Sequence, residues 1–235
     1  MKIFAIGDLH LPGGDDKPMN VFGAHWDGHF EKIRHDWLER VTDGDVVLLP
    51  GDLSWAMQLK DALPDLERVG QLPGRKIILR GNHDYWWCGI NHLREVLPQG
   101  MYALQNAAML LDGVAFAGSR GWTLPAAEEG EDFKIYSREL IRMEMSLERA
   151  SKLKASRLVM MTHYPPLDEK HNDTPVSQLI EKYGVTDVVY GHLHGGSLRG
   201  AFNGNRKGIE YYCVSCDGLN FQLRELAAFD MKSGE

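Results

Sequence analysis

Five short apolar runs, residues 3–6, 46–49, 76–79, 158–161 and 187–190, constrain this chain most, because each is of strand length and rich in Ile, Leu and Val. Runs without polar alternation belong to strands covered on both faces. Amphipathic stretches at 30–41, 60–69 and 136–154 fall between them, alternating with the strands as in βαβ units. Residues 102–118 and 209–229 differ, reading as successive strand-like segments without helical spacing, and they predict a second, more antiparallel sheet. Two sheets face to face with helices outside would bury every apolar face. The expected class is therefore α/β, a four-layer α-β-β-α sandwich of two mixed sheets flanked by helices. At 235 residues the chain is long enough for this to be one domain spanning 1–235.

The residues just after each run carry the chemistry. The strand ends read Gly7-Asp8-Leu9-His10, Gly51-Asp52, Gly81-Asn82-His83-Asp84, Thr162-His163 and Gly191-His192-Leu193-His194. Ligands bind beyond the carboxyl ends of parallel strands, so residues far apart in sequence would converge there. Glycine before the polar residue permits a sharp turn or a close approach. Taken singly, each residue has an ordinary explanation as a cap, a turn former or a hydrogen-bonded histidine. Taken together, five strand ends with the same property are explained at once by metal binding. Two carboxylates, an amide oxygen and four imidazoles suit Mn²⁺, Fe²⁺/Fe³⁺ or Zn²⁺ better than Mg²⁺ or Ca²⁺. Seven ligands exceed one tetrahedral site and match two metals sharing a carboxylate.

In this order, Asp-x-His, Gly-Asp, Gly-Asn-His-Asp, a single His and Gly-His-x-His resemble the calcineurin-like metallophosphoesterase superfamily, from Asp8 to His194. Asp16-Lys17-Pro18-Met19 and Asp84-Tyr85-Trp86-Trp87 further resemble a bacterial branch of predicted phosphohydrolases. The resemblance implies that Asp8, His10 and His194 hold one metal and Asn82, His163 and His192 the other, with Asp52 bridging. It implies that His83 lies beside the substrate and donates to the leaving oxygen, with Asp84 orienting its ring. The implied reaction is cleavage of a phosphate ester by a metal-bridging hydroxide, since metals bring the pKa of bound water toward neutral.

Departures from relatives narrow the expectation. Asp52 is followed by Leu53-Ser54-Trp55-Ala56, where protein phosphatases of the superfamily have an arginine that clamps a phosphomonoester. This disfavours protein phosphatase activity and leans toward a phosphodiester. Trp55 stands where purple acid phosphatases have a tyrosine ligand, and His83 stands where the lipid A pathway hydrolases have arginine.

The formal charge of −7 and pI near 5.8 lack the basic footprint of a nucleic-acid binder. Long nucleic acid, and with it a nuclease reading, is disfavoured. A non-catalytic scaffold or sensor is the other alternative, and the complete ligand set argues against it. The expected partner is a small phosphorylated substrate, including nucleotide-like ones. Trp55, Trp122 and Arg120 are its candidate contacts, by stacking and phosphate clamping. Trp86 and Trp87 fit helix packing equally well, and His25 and His29 lie in a long loop that could reach the site. No segment approaches the roughly 20 apolar residues of a membrane span, and no signal-peptide pattern opens the chain. Cys88, Cys213 and Cys216 form no disulfide framework, so a cytoplasmic location is expected.

Overall fold

A computed structural model describes residues 1–14 and 19–228. Asp16, Lys17 and Pro18, part of the second resemblance, and Phe229, the end of the last strand-like stretch, lie outside these. The elements run β1 (Ile3–Ala5), α1 (His29–Arg40), β2 (Val46–Leu49), α2 (Leu59–Gly70), β3 (Arg75–Ile78), α3 (Ile90–Val96), β4 (Met101–Ala103), β5 (Ala107–Leu111), β6 (Val114–Gly118) and α4 (Gly130–Ser151). They continue with β7 (Arg157–Thr162), α5 (Pro175–Lys182), β8 (Asp187–Tyr190), β9 (Gly204–Arg206), β10 (Ile209–Cys213) and β11 (Arg224–Glu225).

Two sheets form, in the orders β11-β1-β2-β3-β4 and β5-β6-β7-β8-β10-β9. Strands β1 to β4 are parallel, with β11 antiparallel at the edge. In the second sheet β6, β7, β8 and β10 are parallel, and only β5 and β9 at its edges run antiparallel. Among the described residues the second sheet is the more antiparallel of the two, with two antiparallel pairs against one, although its centre is parallel. Two of the five apolar runs, β7 and β8, form its centre. Tyr102 belongs to β4 of the first sheet, and β11 returns to pair with β1. Successive crossovers through α4 and α5 force parallel pairing, because a helix between two strands brings the chain back to the same end.

Period-two alternation sorts the strand side chains into layers. Phe4, Val47 and Leu49 pack with Ile33, Trp37 and Leu66 under α1 and α2. Leu158, Met160 and Val188 pack with Met143, Leu147 and Ile180 under α4 and α5. Ile3, Ala5, Val46, Leu48 and Ile77 meet Phe116, Val159, Met161 and Val189 between the sheets. Three apolar layers between four structural ones are the α-β-β-α sandwich. Among the described residues no helix is long and apolar enough to cross a membrane.

Candidate metal centre

The strand ends are joined before any side chain is considered. Beyond β1 and β2 the chain stays paired: Asp8 N–H donates to Gly51 O at 3.0 Å, and His10 N–H to Asp52 O at 3.0 Å. Along this ladder the backbone turns left-handed at Asp8 (φ 59°), His10 (φ 44°) and Asp52 (φ 53°); His192 does the same at φ 73°. Left-handed non-glycine residues concentrate where function over-determines the backbone. Two of the glycines serve close approach instead of a turn. A Cβ on Gly81 would stand 2.0 Å from Asp52 Oδ1, and one on Gly191 2.5 Å from Asp8 Oδ2. The carboxylate of one strand end occupies the space of the neighbour's missing side chain.

All seven candidate ligands converge in two clusters. In the first, His10 Nε2 faces His194 Nε2 at 3.4 Å, and His194 Nε2 lies 3.6 Å from Asp8 Oδ1. In the second, Asn82 Oδ1 is 2.6 Å from His163 Nε2 and 2.9 Å from His192 Nδ1, with the two imidazole nitrogens 3.2 Å apart. Asp52 Oδ2 lies between them, 3.6 Å from His163 Nε2 and 3.9 Å from His10 Nε2. The groups Asp8–His10–His194 and Asp8–Asp52–His163 each gather ligand atoms closely enough to hold an ion.

The donor chemistry fits a metal. His163 Nδ1–H donates to Pro50 O at 2.9 Å, and His194 Nδ1–H donates to Asp217 Oδ1 at 2.9 Å. With the His163 proton so placed, its Nε2 lone pair points at Asn82 Oδ1 and Asp52 Oδ2, both acceptors, whereas His194 Nε2 carries a proton toward Asp8 that a metal would displace. Lone pairs facing lone pairs repel unless a cation stands between them. Among the described residues, buried His10 Nδ1 has no hydrogen-bond partner.

Electrostatics points the same way. Burial, reinforced by the neighbouring charges of Asp84 and Asp8, pushes the Asp52 carboxyl up to about 9. Burial also opposes ionisation of Asp8, but the His194 hydrogen bond and the surrounding imidazoles outweigh it and hold Asp8 well below the usual carboxylate range. Burial brings His10 down to about 3 and His163 to about 4. At His194 burial is outweighed by hydrogen bonds with Asp217 and Asp8, which raise it to about 10. Bound divalent cations would reverse this order by favouring carboxylates and neutral imidazoles.

His83 stands at the mouth, half-buried, its ring 4.6 Å from that of Trp55 and 5.8 Å from that of His10. Burial lowers its pKa, and its backbone N–H anchors Asp52 Oδ1 at 2.8 Å. Asp84 corrects an expectation. Its carboxylate is buried and accepts N–H groups from Asp52, Leu53, Ser54 and Gly81 and from the Trp86 indole, at 2.7 to 3.3 Å. It shapes the turn that carries Asp52; five donors leave it no role in orienting the His83 ring.

A cavity of about 300 Å³ opens over His10, His83 and His194, walled by Met19, Phe22, His25, Trp26 and Trp55. Trp55 stacks on His10 with centroids 4.8 Å apart. Arg120 and Trp122 do not line it. They lie on the opposite flank, with Arg120 4.8 Å above the Trp122 ring, Trp122 5.6 Å from Tyr164, and Tyr164 4.3 Å from His192. Trp86 and Trp87 are buried packing residues. His29 donates to Leu9 O and braces the strand end. Sequence reasoning missed Trp26 and Phe22, which carry no motif, and read Met19 only as part of the second resemblance, not as a wall of the site. It also missed Asp217, although Ser215-Cys216-Asp217 follows β10 as the other polar residues follow their strands.

The calcineurin-like phosphoesterase profile matches residues 1–196, a span that holds all seven converging candidate ligands. The chain belongs to the calcineurin-like phosphoesterase family. It is accordingly a metallophosphoesterase, and both the ligand clusters and the two-sheet sandwich accord with that family. No curated protein matches the chain. Among solved structures it is similar to a protein of unknown function from Aquifex aeolicus, at 19% identity over 95% of each chain with a TM-score of 0.49. The calcineurin-like profile ends just past His194, so Asp217 lies beyond it.

Proposed function

We propose that this phosphoesterase cleaves a small phosphodiester carrying a planar, uncharged substituent, such as a nucleotide-like ester. Asp8, His10 and His194 would hold one metal, Asn82, His163 and His192 the other, and Asp52 both. Bound there, two ions of Mn²⁺, Fe or Zn²⁺ would supply a water nucleophile near neutral pH and counter-charge for the phosphoryl oxygens. His83, with its pKa lowered, offers an N–H from a neutral imidazole to the phosphoryl group or the departing ester oxygen. Trp55 holds the His10 ring from behind and presents an aromatic wall to the substrate.

The observation that carries the diester reading is the lining of the cavity: among the described residues it includes no lysine or arginine. A phosphomonoester brings a second negative charge that such a site leaves unpaired, whereas a diester brings one charge and an apolar group to fill the aromatic wall. The small volume and the net charge of −7 favour a small substrate over long nucleic acid.

The test is hydrolysis of bis(p-nitrophenyl) phosphate and p-nitrophenyl phosphate by Mn²⁺-loaded protein. The expected result is a higher kcat/KM for the diester and loss of both activities with EDTA. Equal or greater turnover of the monoester overturns the diester preference. Absence of turnover with metal demonstrably bound overturns the catalytic reading.

A further inference from the structure

The Asp8–His10–His194 cluster is closed by a segment beyond the calcineurin-like profile. Parallel pairing of β10 with β8 sets Cys213 opposite Tyr190, so the chain leaving β10 runs beside the chain that carries His192 and His194. Ser215 then bridges to Gly7 in parallel, and Cys216 N–H donates to Gly7 O at 3.1 Å. Cys216 Sγ reaches Asp8 O at 3.0 Å. Ser215 and Cys216 thereby touch the β1 end in one sheet, while the strand they leave pairs with β8 in the other.

Asp217 completes the contact. Its Oδ1 accepts from His194 Nδ1 at 2.9 Å and its Oδ2 accepts from Gly195 N–H at 2.9 Å. One carboxylate therefore fixes the ring of His194 and the backbone that follows it. The Asp217 side chain is only 4% exposed against 31% for His194, so water competes poorly for the bond. A carboxylate behind a ligating imidazole fixes its tautomer and raises its basicity, and its removal commonly costs 10- to 100-fold in metal affinity.

We propose that Asp217 is a positioning residue that holds His194 in the tautomer and orientation required to bind the metal shared with Asp8 and His10. This rests on the reading of His194 as a ligand. Asparagine cannot replace it fully, because its amide has one acceptor oxygen and two N–H donors face two. Glutamate keeps both acceptors.

Mn²⁺ binding to the full chain, followed by titration calorimetry, tests the proposal with wild type and the Asp217→Ala, Asp217→Asn, Asp217→Glu and His194→Ala variants, each checked for a native melting transition in EDTA. Wild type is expected to bind two ions, and His194→Ala to lose one. Asp217→Ala and Asp217→Asn should weaken one ion by about 10- to 100-fold while the other keeps its affinity, and Asp217→Glu should recover part of the loss. If His194→Ala binds both ions like wild type, the ligand reading fails. If His194→Ala loses an ion and the Asp217 variants bind both normally, the positioning role fails alone. Equal weakening of both ions in the Asp217 variants also overturns it, since that is the mark of general loosening.

Discussion

Replacing Gly81 by alanine adds a methyl group where the Asp52 carboxylate already sits. The backbone conformation is no obstacle, because Gly81 is not left-handed. The added Cβ would lie 2.0 Å from Asp52 Oδ1 and 2.3 Å from Asp52 N, against ordinary contact from 3.4 Å. The carboxylate must therefore retreat by about 1.4 Å, the difference between 3.4 and 2.0 Å. It cannot do so alone: Oδ1 is tied to His83 N–H at 2.8 Å, and Asp52 N–H to Asp84 Oδ2 at 2.9 Å. Overpacking a tight site costs about 1–3 kcal/mol, and a displacement near 1 Å at reacting groups costs on the order of 100-fold in rate. Urea unfolding in EDTA should show the lower midpoint, and Mn²⁺-dependent diester hydrolysis the lost rate. Gly200→Ala, with open space around the added Cβ, should stay within about 0.5 kcal/mol of wild type. A Gly81→Ala protein with wild-type midpoint and activity would refute the placement of Asp52 against β3.

His83→Ala should lower kcat by about 10²- to 10⁴-fold while leaving Mn²⁺ affinity unchanged, because the backbone N–H that anchors Asp52 remains; a parallel loss of metal would recast His83 as scaffold. In EDTA the melting temperature should fall from pH 7 to 9. Asp52, raised to about 9, and His194, raised to about 10, both keep protons in the folded state that the unfolded chain has released over that range. Saturating Mn²⁺ displaces those protons and should flatten the slope; a metal-free melting temperature rising over that range would contradict the sign.

The strand ends made the site legible in the sequence, because a polar residue at the carboxyl end of a buried run has one place to go. Topology was legible more coarsely. The runs now seen as β7 and β8 look like those of β1 to β3, and nothing in their composition says that they belong to a different sheet; the crossover through α4 decides it. Asp84 was misread as orienting the His83 ring because it stands next to His83 in the sequence, and sequence proximity does not say which way a buried side chain turns. Its burial turned it toward backbone N–H groups left unpaired by the left-handed turn at Asp52. The cavity wall was missed for a different reason. Met19, Phe22 and Trp26 sit in two short 3-10 turns, Met19–Phe22 and Ala24–Trp26, whose position depends on contacts such as Trp55 Nε1 to Met19 Sδ at 3.2 Å and has no periodic signature.

Each cluster of candidate ligands draws on both sheets, and this ties the site to the core behind it. Asp8 and His10 come from the end of β1 and His194 from that of β8; Asn82 follows β3, and His163 and His192 follow β7 and β8. Neither sheet alone could assemble either cluster, so the geometry depends on the interlayer packing of Val46, Leu48, Phe116, Val159 and Val189. Fully burying one such side chain contributes about 1.5–3 kcal/mol. The four left-handed non-glycine residues at the site, Asp8, His10, Asp52 and His192, at on the order of 1 kcal/mol or more each, are tolerable on such a base. The close approach at Gly191 sits where β8 of one sheet meets the β1 end of the other, and that at Gly81 where β3 meets its neighbour β2; at both strand ends a carboxylate is set against a backbone without being free to move away.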